Sequence, residues 1–249
     1  MPRFFVRAEQ IADGFVHIVG DDAHHIARSL RMAVGEKLTV CDMQRTEYDC
    51  ELVSFSEDSE VCARVISSRS MNTEPPFGAQ LYQALPKGEK LDTVIQKAVE
   101  CGVASVTPFE SERCIVRCKP EQEGKKTERR QRIATEAAKQ SGRGRIPEVL
   151  PTTSFERMLA SAAKADIPIF CYEGDDTVPL KTLLRRVLPS VQGAPTVSIV
   201  IGSEGGFSLA EAERARSMGF LMAGLGARIL RTETASSFVL GALVYELEL

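Results

Sequence analysis

The segment Ile199–Ser208, IVIGSEGGFS, places three glycines directly after the apolar run Val197–Ile201. The apolar run predicts a buried strand, and Phe207–Glu211 predicts the start of a helix. A glycine turn between a strand and a helix often holds a phosphate on its backbone N–H groups. This turn has neither the GxGxxG nor the GxxxxGK[ST] pattern, and Glu204 would meet a phosphate with like charge. The turn therefore favours a neutral or cationic ligand, with a purely structural turn as the alternative.

A second segment with reactive side chains, Leu225–Ala235, has the sequence LGARILRTETA and again leads from a predicted strand into a helix. Arg231 supplies a cation just before this helix, and Glu233 supplies a carboxylate in its first turn. The same carboxylate could simply complement the helix dipole. Thr232 and Thr234 are also ordinary capping residues. Both a chemical and a structural interpretation of this segment stay open.

Histidines and cysteines do not form a metal-binding pattern. The three histidines are His17, His24 and His25, and the seven cysteines are scattered without a CxxC pair. Cys114 and Cys118 lie four residues apart but lack a second ligand pair at zinc spacing. We therefore predict no metal site and reduced thiols, as is usual for a cytoplasmic protein.

The composition, 43% hydrophobic and 26% charged over 249 residues, is typical of a soluble globular protein. No apolar run approaches the roughly 20 residues of a membrane span, and Met1–Arg7 does not resemble a signal peptide. The net charge is −3, yet residues 113–145 contain eleven Lys and Arg against four Asp and Glu. This basic stretch is either a contact surface for a polyanion or a solvated helix face.

The first 70 residues are predicted to form short strands around one helix, Ala23–Leu30, which suggests a small β-barrel. The predicted strands are Phe4–Arg7, Phe15–Val19, Lys37–Cys41, Tyr48–Phe55 and Glu60–Ile66. The stretch Ser67–Gly78, rich in Ser and Pro, is predicted to be a linker.

After this linker, strands alternate with helices, which predicts a parallel α/β sheet. The predicted strands are Ala79–Leu85, Val103–Pro108, Ile167–Tyr172, Val197–Ile201 and Leu221–Leu225. The predicted helices are Lys90–Cys101, Glu128–Ser141, Phe155–Ala165, Leu180–Leu188, Ala210–Met218 and Thr232–Leu247. Ligands of such sheets bind at the loops beyond the carboxyl ends of the strands, where both reactive segments lie.

Together, IGSEGGFS and LGARILRTETA resemble the SPOUT class of RNA methyltransferases and, more closely, its RsmE-type 16S rRNA (uracil-N3)-methyltransferases. Four further blocks match in the same order: HHIARSLRMAVGE (His24–Glu36), LPKGEKLDTVIQKAVECGV (Leu85–Val103), PFESERC (Pro108–Cys114) and EAAKQSGRGRIPEV (Glu136–Val149). One departure is Ser203, where the family usually has proline. We expect this change to make the turn less rigid while retaining ligand binding.

The resemblance implies a PUA-like β-barrel RNA-binding domain over residues 1–72 and a SPOUT methyltransferase domain over residues 73–249. The second domain is expected to be an α/β parallel sheet with a deep trefoil knot. The resemblance also implies a homodimer, to which the apolar helix Thr232–Leu247 could contribute an interface. Burial of that helix in the core is the alternative.

The resemblance further implies that S-adenosyl-L-methionine binds to three loops. The expected contacts are Cys171, Tyr172, Glu173, Ile201, Gly202, Ser203, Glu204, Gly205, Leu225, Gly226, Ile229, Leu230, Arg231 and Thr234. A sulfonium cation tolerates a carboxylate in the turn, and glycines let the backbone approach closely. We expect Arg231 to offset charge on the uracil oxygens, with Glu233 or Glu204 assisting proton removal.

The implied substrate is the uridine at position 1498 of 16S rRNA within the assembled 30S subunit. The residues expected to contact RNA are Arg3, His24, His25, Arg28, Arg31, Lys87, Gln140, Arg143 and Arg145. Buried or capping histidines are the alternative for His24 and His25. With 6% aromatic residues and no Trp, recognition of structured RNA by shape is favoured over base stacking.

Three other functions stay open from the sequence. A SPOUT ribose 2′-O-methyltransferase acting on tRNA or 23S rRNA usually has an Asn-Ser pattern where this chain has Thr232–Ala235. A non-catalytic RNA-binding protein of ribosome assembly would keep the fold without turnover, and Ser203 leaves room for it. A nucleotide-dependent enzyme is disfavoured by Glu204 and by the missing phosphate-loop lysine.

Overall fold

A computed structural model describes residues 1–56, 60–191 and 193–249, which form two compact units. The first unit comprises Met1–Glu74 together with Ala138–Ile146, and the second comprises Pro75–Ala137 together with Pro147–Leu249. No local sequence pattern indicates that the short stretch Ala138–Ile146 belongs with the N-terminal unit. Among the described residues, no helix is both long and apolar enough to cross a membrane.

The first unit is built on one six-stranded sheet. Its strands are β1 (Arg3–Phe5), β2 (Ile11–Ala12), β3 (Phe15–Ile18), β4 (Lys37–Cys41), β5 (Thr46–Phe55) and β6 (Val61–Ser70), in the order β1-β4-β5-β6-β3-β2. β1 pairs with β4 in parallel, and the other neighbours are antiparallel. A short helix, α1 (Asp21–His24), continues into a π-helical turn, His25–Ser29, where the sequence predicts one helix over Ala23–Leu30.

Alternating burial explains why these residues form strands. In β3, Val16 and Ile18 are fully buried, whereas Phe15 and His17 face solvent, which is the two-residue period of a sheet with one apolar face. The buried faces of β1, β4, β5 and β6 join this core, and Ala23 and Ile26 cover it from the helical segment. Burial of this apolar surface is what stabilises so small a unit.

The predicted linker Ser67–Gly78 is wrong at its beginning. β6 continues to Ser70, and Ser67–Ser70 pair with Thr46–Asp49 of β5. Serine-rich segments usually indicate a loop, but here the backbone hydrogen bonds to β5 determine the conformation. The irregular connection is therefore shorter than the sequence suggests.

The second unit is an eight-stranded, entirely parallel sheet, as the alternation of strands and helices predicts. Its strands are β7 (Gly78–Ala84), β8 (Ser105–Glu110), β9 (Glu148–Val149), β10 (Thr153–Ser154), β11 (Ile167–Cys171), β12 (Val178–Pro179), β13 (Thr196–Ile201) and β14 (Leu221–Gly224). The order is β10-β8-β7-β13-β11-β14-β12, and β9 also pairs with β8.

Six helices connect or follow these strands. They are α2 (Lys90–Glu100), α3 (Pro120–Ser141), α4 (Phe155–Ala162), α5 (Leu180–Val187), α6 (Leu209–Ser217) and α7 (Thr232–Leu247). Single turns of 3-10 helix lie at Ala8–Gln10 and Leu188–Ser190.

Helix α3 is eight residues longer at its start than predicted from hydrophobic periodicity, which indicated Glu128–Ser141. Its first half carries few apolar residues, so no amphipathic pattern marks it. Pro120 at the first helical position and acidic residues in the first turn are the signals that could have located this start.

The strand order brings three loop-bearing strands side by side. β11 lies between β13 and β14, so the carboxyl ends of all three meet at one edge of the sheet. The connection from β13 to β14 must pass β11. The trefoil knot expected from the family resemblance stays a prediction.

A buried ion pair fixes the loop after α3 within the first unit. The Arg143 guanidinium donates from Nε and Nη2 to the two carboxylate oxygens of Glu74 at 2.9 and 2.7 Å. The backbone N–H of Gly144 also donates to Glu74, at 2.8 Å. Only 4% of the Arg143 side chain and 10% of the Glu74 side chain are exposed.

Replacing Arg143 with methionine should therefore lower the free energy of unfolding by about 3 kcal/mol, because the Glu74 carboxylate stays buried without its cation. Denaturant titration of the purified protein measures this change. Arg145→Gln is the control, since Arg145 is half exposed and 3.9 Å from Glu74. A surface contact of that kind is expected to contribute about 0.5 kcal/mol or less, and equal effects of both variants would contradict the prediction.

Candidate active site

The loops after β11, β13 and β14 surround one cavity of about 950 Å³. Its volume is at the upper end of the range of about 300–1,000 Å³ typical of small-molecule sites. All of the cofactor-binding residues predicted from sequence line it except Thr234, which is exposed outside it. Additional lining residues that the sequence analysis did not single out as cofactor contacts are Lys90, Arg113, Gly174, Thr177, Gly206, Phe207, Leu209, Gly224, Ala227, Arg228, Thr232 and Ala235.

The glycine turn after β13 is tight, and at Gly202 it leaves no room for a side chain. The Gly206 N–H donates to the Ser203 carbonyl at 2.9 Å, and Gly206 has φ +62° in the left-handed region that favours glycine. A Cβ atom on Gly202 would lie 3.1 Å from the Phe207 ring and 3.2 Å from Gly206 Cα. Gly202 therefore packs backbone against backbone, and any side chain there would displace the turn.

Aromatic packing and a helix cap hold this turn in place. The Phe207 ring packs on Phe170 at a centroid distance of 4.3 Å and stacks on Phe109 at 6.3 Å. Ser208 caps α6 through a capping box with Glu211. The Glu211 carboxylate also accepts the N–H of Glu112 at 2.7 Å. The turn is consequently fixed at both ends by buried groups.

Glu204, at the tip of the turn, is bound by groups that follow β7. Lys90 Nζ donates to Oε1 of Glu204 at 2.7 Å, and the backbone N–H of Lys87 donates at 3.2 Å. Partial burial raises the pKa of Glu204, but these hydrogen bonds outweigh it and hold the pKa below its usual value. Glu204 is therefore an ionised anchor and a weak base at neutral pH.

A fully buried glutamine, which the sequence analysis missed, joins the turn to α7. Gln83 Nε2 donates to Thr232 Oγ1 at 2.8 Å, and Thr232 Oγ1 donates to the Gly202 carbonyl at 2.6 Å. The Thr232 hydroxyl is thus bound to the turn and does not cap α7. The N-cap residue of α7 is Arg231, whose side chain makes no capping hydrogen bond. A polar residue near the end of an apolar strand was the only signal for Gln83.

The catalytic candidates of the last segment lie beside this junction. The Arg231 side chain is exposed and lines the cavity, while its backbone carbonyl accepts from the N–H groups of Thr234 and Ala235. Glu233 does not line the cavity, but its Oε2 is buried and lies 4.0 Å from Lys90 Nζ. Lys90 therefore lies within ion-pairing distance of both Glu204 and Glu233.

Three buried polar atoms near the turn lack hydrogen-bond partners in the described part of the chain. They are Ser203 Oγ, Gln83 Oε1 and Glu233 Oε2. Buried polar atoms are normally paired, and of these three residues only Ser203 lines the cavity, so its hydroxyl is the one that indicates a place for a ligand or water there. Cys171, by contrast, is an apolar wall, because burial raises its pKa to about 12 and keeps the thiol neutral.

The residues predicted to contact RNA divide unequally between the two units. Lys87 belongs to the second unit, and the other eight belong to the first. Six of these side chains are exposed. Four lie on or after α1, namely His24, His25, Arg28 and Arg31, while Gln140 lies near the end of α3 and Arg145 in the loop after it. Arg3 is paired with Glu47 at 2.5 Å.

Arg143 is buried on Glu74, so its side chain holds the loop and is not presented at the surface. In the described ranges, no group of three or more His, Cys, Asp or Glu side chains is arranged to hold a metal ion.

Comparison with known proteins identifies the family. A model of the RNA methyltransferase domain matches residues 73–244, and a model of the RNA methyltransferase PUA domain matches residues 18–63. The ribosomal RNA small subunit methyltransferase E of Bacillus subtilis is 35% identical over all of this chain and 98% of its own length. The chain belongs to the ribosomal RNA small subunit methyltransferase E family. The Bacillus subtilis relative therefore aligns with both units of this chain.

Solved structures similar to this chain share its fold. A ribosomal RNA small subunit methyltransferase E from Neisseria gonorrhoeae, bound to S-adenosyl methionine, is 29% identical with a TM-score of 0.84, covering 99% of this chain and 98% of its own. A Legionella pneumophila methyltransferase in complex with SAM is 30% identical with a TM-score of 0.83, covering 98% and 97%. The predicted family and the α/β fold with an N-terminal PUA domain are confirmed.

Proposed function

We propose that this chain transfers a methyl group from S-adenosyl-L-methionine to N3 of the uridine at position 1498 of 16S rRNA in the 30S subunit. The observation that carries the proposal is the full-length relationship to methyltransferase E proteins, combined with one large cavity at the carboxyl ends of three adjacent parallel strands. A cytoplasmic location is part of the proposal, because ribosomal subunits are the substrate.

The residues around the cavity fit S-adenosylmethionine. Backbone groups of three loops and the unpaired Ser203 hydroxyl offer hydrogen bonds to a polar ligand. Gly202, Gly205 and Gly206 line the cavity without side chains, so the backbone of the turn itself faces the ligand there. The bound cofactor supplies a methyl group activated by its sulfonium charge.

The chain's own side chains would then act on the uracil. N3 carries an imide proton, and its removal spreads negative charge onto O2 and O4. Arg231, at the N-cap of α7, is exposed and lines the cavity, and we propose that its guanidinium stabilises this charge. We propose Glu233 as the proton acceptor, because the Glu204 carboxylate already accepts hydrogen bonds from Lys90 and Lys87, whereas Glu233 Oε2 accepts none from the described residues. Glu233 does not line the cavity in this structure, so this role requires its side chain to turn toward the uracil. The Gln83–Thr232 hydrogen bond holds α7 against the turn and so positions both groups.

We propose that the first unit binds RNA through exposed side chains of α1 and the residues that follow it. Arg28 and Arg31 are exposed and have no hydrogen-bond or ion-pair partner among the described residues, so both cations are available to phosphates. His24 and His25 lie beside them. Such contacts position RNA without reading its sequence. In this proposal residues 1–72 form the RNA-binding domain and residues 73–249 the knotted methyltransferase domain.

We also propose that the protein is a homodimer formed through α7. Two aromatic side chains of this helix, Phe238 and Tyr245, are 46% and 71% exposed, although its other face is buried in the core. Exposed aromatic side chains on a mostly apolar helix are typical of an interface. If a second copy covers Phe238 and Tyr245, one face of α7 packs in the core and the other forms the dimer interface.

Replacing Ser203 with alanine should separate the roles of the turn in stability and in binding. Without cofactor, the free energy of unfolding should rise by about 1 kcal/mol, because a buried unpaired hydroxyl is removed. The dissociation constant for S-adenosylmethionine should rise about tenfold through loss of one hydrogen bond. Thermal unfolding and calorimetric titration measure the two effects. An unchanged dissociation constant would show that Ser203 does not contact the cofactor.

The substrate proposal is tested with labelled S-adenosylmethionine and three RNAs. Unmethylated 30S subunits, naked 16S rRNA and tRNA are incubated with the protein in parallel, and incorporated label is counted. We expect label in 30S subunits and none in tRNA. Label in tRNA would favour a ribose 2′-O-methyltransferase. Cofactor binding without label in any RNA would favour a non-catalytic assembly protein.

A further inference from the structure

The charges lining the cavity exceed what the cofactor needs. Four cations line it, Lys90, Arg113, Arg228 and Arg231, against the carboxylates of Glu173 and Glu204. Lys90 is paired with Glu204, so the remaining balance is three arginines against one carboxylate. S-adenosylmethionine carries a sulfonium and an ammonium cation against a single carboxylate, so it can pair with at most one of these arginines. The surplus therefore suits a second, anionic partner at the same cavity.

Arg113 is the cation whose position the fold determines most closely. It follows β8, and its Nη1 donates to the Gly205 carbonyl at 3.1 Å. A Cβ atom on Gly205 would lie 3.0 Å from Arg113 Cβ, so the arginine packs directly on the glycine turn. No carboxylate of the described residues pairs with Arg113. The guanidinium is oriented by a neutral carbonyl and keeps its charge for another partner.

Arg117 is held in a similar way, four residues later. Its Nη1 and Nη2 donate to the carbonyls of Ser111 and Glu112, each at 3.0 Å. The nearest carboxylate, Glu110, is 3.8 Å away, and about half of the Arg117 side chain is exposed. A cation pre-oriented by backbone carbonyls loses little conformational entropy when it binds a phosphate.

The segment that carries the two arginines is anchored at its start by buried groups. Ser111 and Cys114 are buried and hydrogen-bonded to each other at 3.2 Å, and Glu211 accepts the N–H of Glu112. β8 neighbours β7, which neighbours β13, so this turn lies at the same edge of the sheet as the cavity. The fold thus fixes Arg113 on the turn that contains Glu204 and Arg117 four residues further along the same segment.

We propose that Arg113 and Arg117 form a phosphate-binding pair that holds the RNA backbone next to the target uridine. Planar guanidinium groups match phosphate geometry and are the usual choice for such contacts. The inference rests on the proposed function and adds an RNA contact made by the second unit. It also gives a role to the start of the basic stretch 113–145.

Salt-dependent binding of unmethylated 30S subunits tests the pair. Affinity is measured between about 50 and 200 mM KCl for the wild type, Arg113→Gln and Arg117→Gln, because each phosphate contact contributes about 0.7–0.9 to the slope of log affinity against log salt. Each substitution should weaken binding about three- to tenfold and lower the slope by about 0.7–0.9. Arg186→Gln, an exposed arginine in the last turn of α5, is the matched control and should change neither value.

Two further measurements keep the outcomes distinct. Affinity for S-adenosylmethionine should stay unchanged in Arg117→Gln, because Arg117 does not line the cavity, and Arg113→Lys should restore most of the salt slope. A slope equal to that of the wild type, an equal loss in Arg186→Gln, or a loss confined to cofactor affinity would overturn the phosphate-binding pair. A wild type that binds cofactor but not 30S subunits would overturn the proposed function as well, whereas normal methylation with unchanged slopes would overturn this inference alone.

Discussion

Replacing Gly202 with valine is expected to weaken the binding of S-adenosylmethionine strongly. The new Cβ would lie 3.1–3.2 Å from the Phe207 ring and from Gly206 Cα, and the second of these contacts is backbone that cannot rotate away. The turn must therefore shift, which displaces Ser203 and Glu204 from the cavity wall. We expect the dissociation constant to rise about 5- to 150-fold, the equivalent of the roughly 1–3 kcal/mol that overpacking of this kind costs.

Calorimetric titration with S-adenosylmethionine measures this loss, with circular dichroism to confirm that the variant is folded. Gly124→Val is the matched control, because nothing lies within 4 Å of the Cβ position in the exposed first half of α3. The control should bind the cofactor like the wild type. Normal binding by a folded Gly202→Val protein would mean that the cofactor does not use this turn.

Replacing Arg231 with alanine should lower kcat for methyl transfer by about 100- to 1,000-fold, the usual effect of removing one group that stabilises transition-state charge. The side chain is exposed and makes no hydrogen bond within the described chain, so its removal should leave the fold and cofactor affinity nearly unchanged. Single-turnover kinetics with saturating 30S subunits isolates this chemical step.

Two companion variants show what kind of role Arg231 has. Arg231→Lys should recover part of the rate, because it keeps the charge and loses the planar guanidinium. Arg228→Ala removes a neighbouring cation of the same cavity and should mainly weaken RNA binding. A kcat for Arg231→Ala equal to that of the wild type would transfer the electrostatic role to another residue.

Hydrophobic patterns predicted the elements of this fold well where burial alone determines them. α7 begins and ends at the predicted residues, and β4 matches Lys37–Cys41. The hydrophobic pattern failed where strand pairing or helix-start signals determine the structure. Examples are the polar end of β6, which pairs with β5, and the charged start of α3. Periodicity carries no information about either effect.

Two of the three cavity loops could be predicted because they are contiguous segments with recognisable glycines, whereas Cys171–Glu173 could be expected only from the family resemblance. Gln83 and Lys90 could not, since their importance arises from contacts with residues more than a hundred positions away. The burial of Arg143 was missed for the same reason: its partner Glu74 lies 69 residues earlier. Sequence spacing reports local neighbours, whereas these side chains are defined by the strand order.

The most direct test is the chemical position of the transferred methyl group. Unmethylated 30S subunits are treated with the protein and labelled S-adenosylmethionine, the 16S rRNA is digested to nucleosides, and the labelled nucleoside is identified by mass spectrometry. We expect N3-methyluridine as the single labelled product, reduced with Gly202→Val when S-adenosylmethionine is subsaturating and strongly reduced with Arg231→Ala. A label on a ribose 2′-oxygen, or on any base position other than uracil N3, would contradict the proposed reaction.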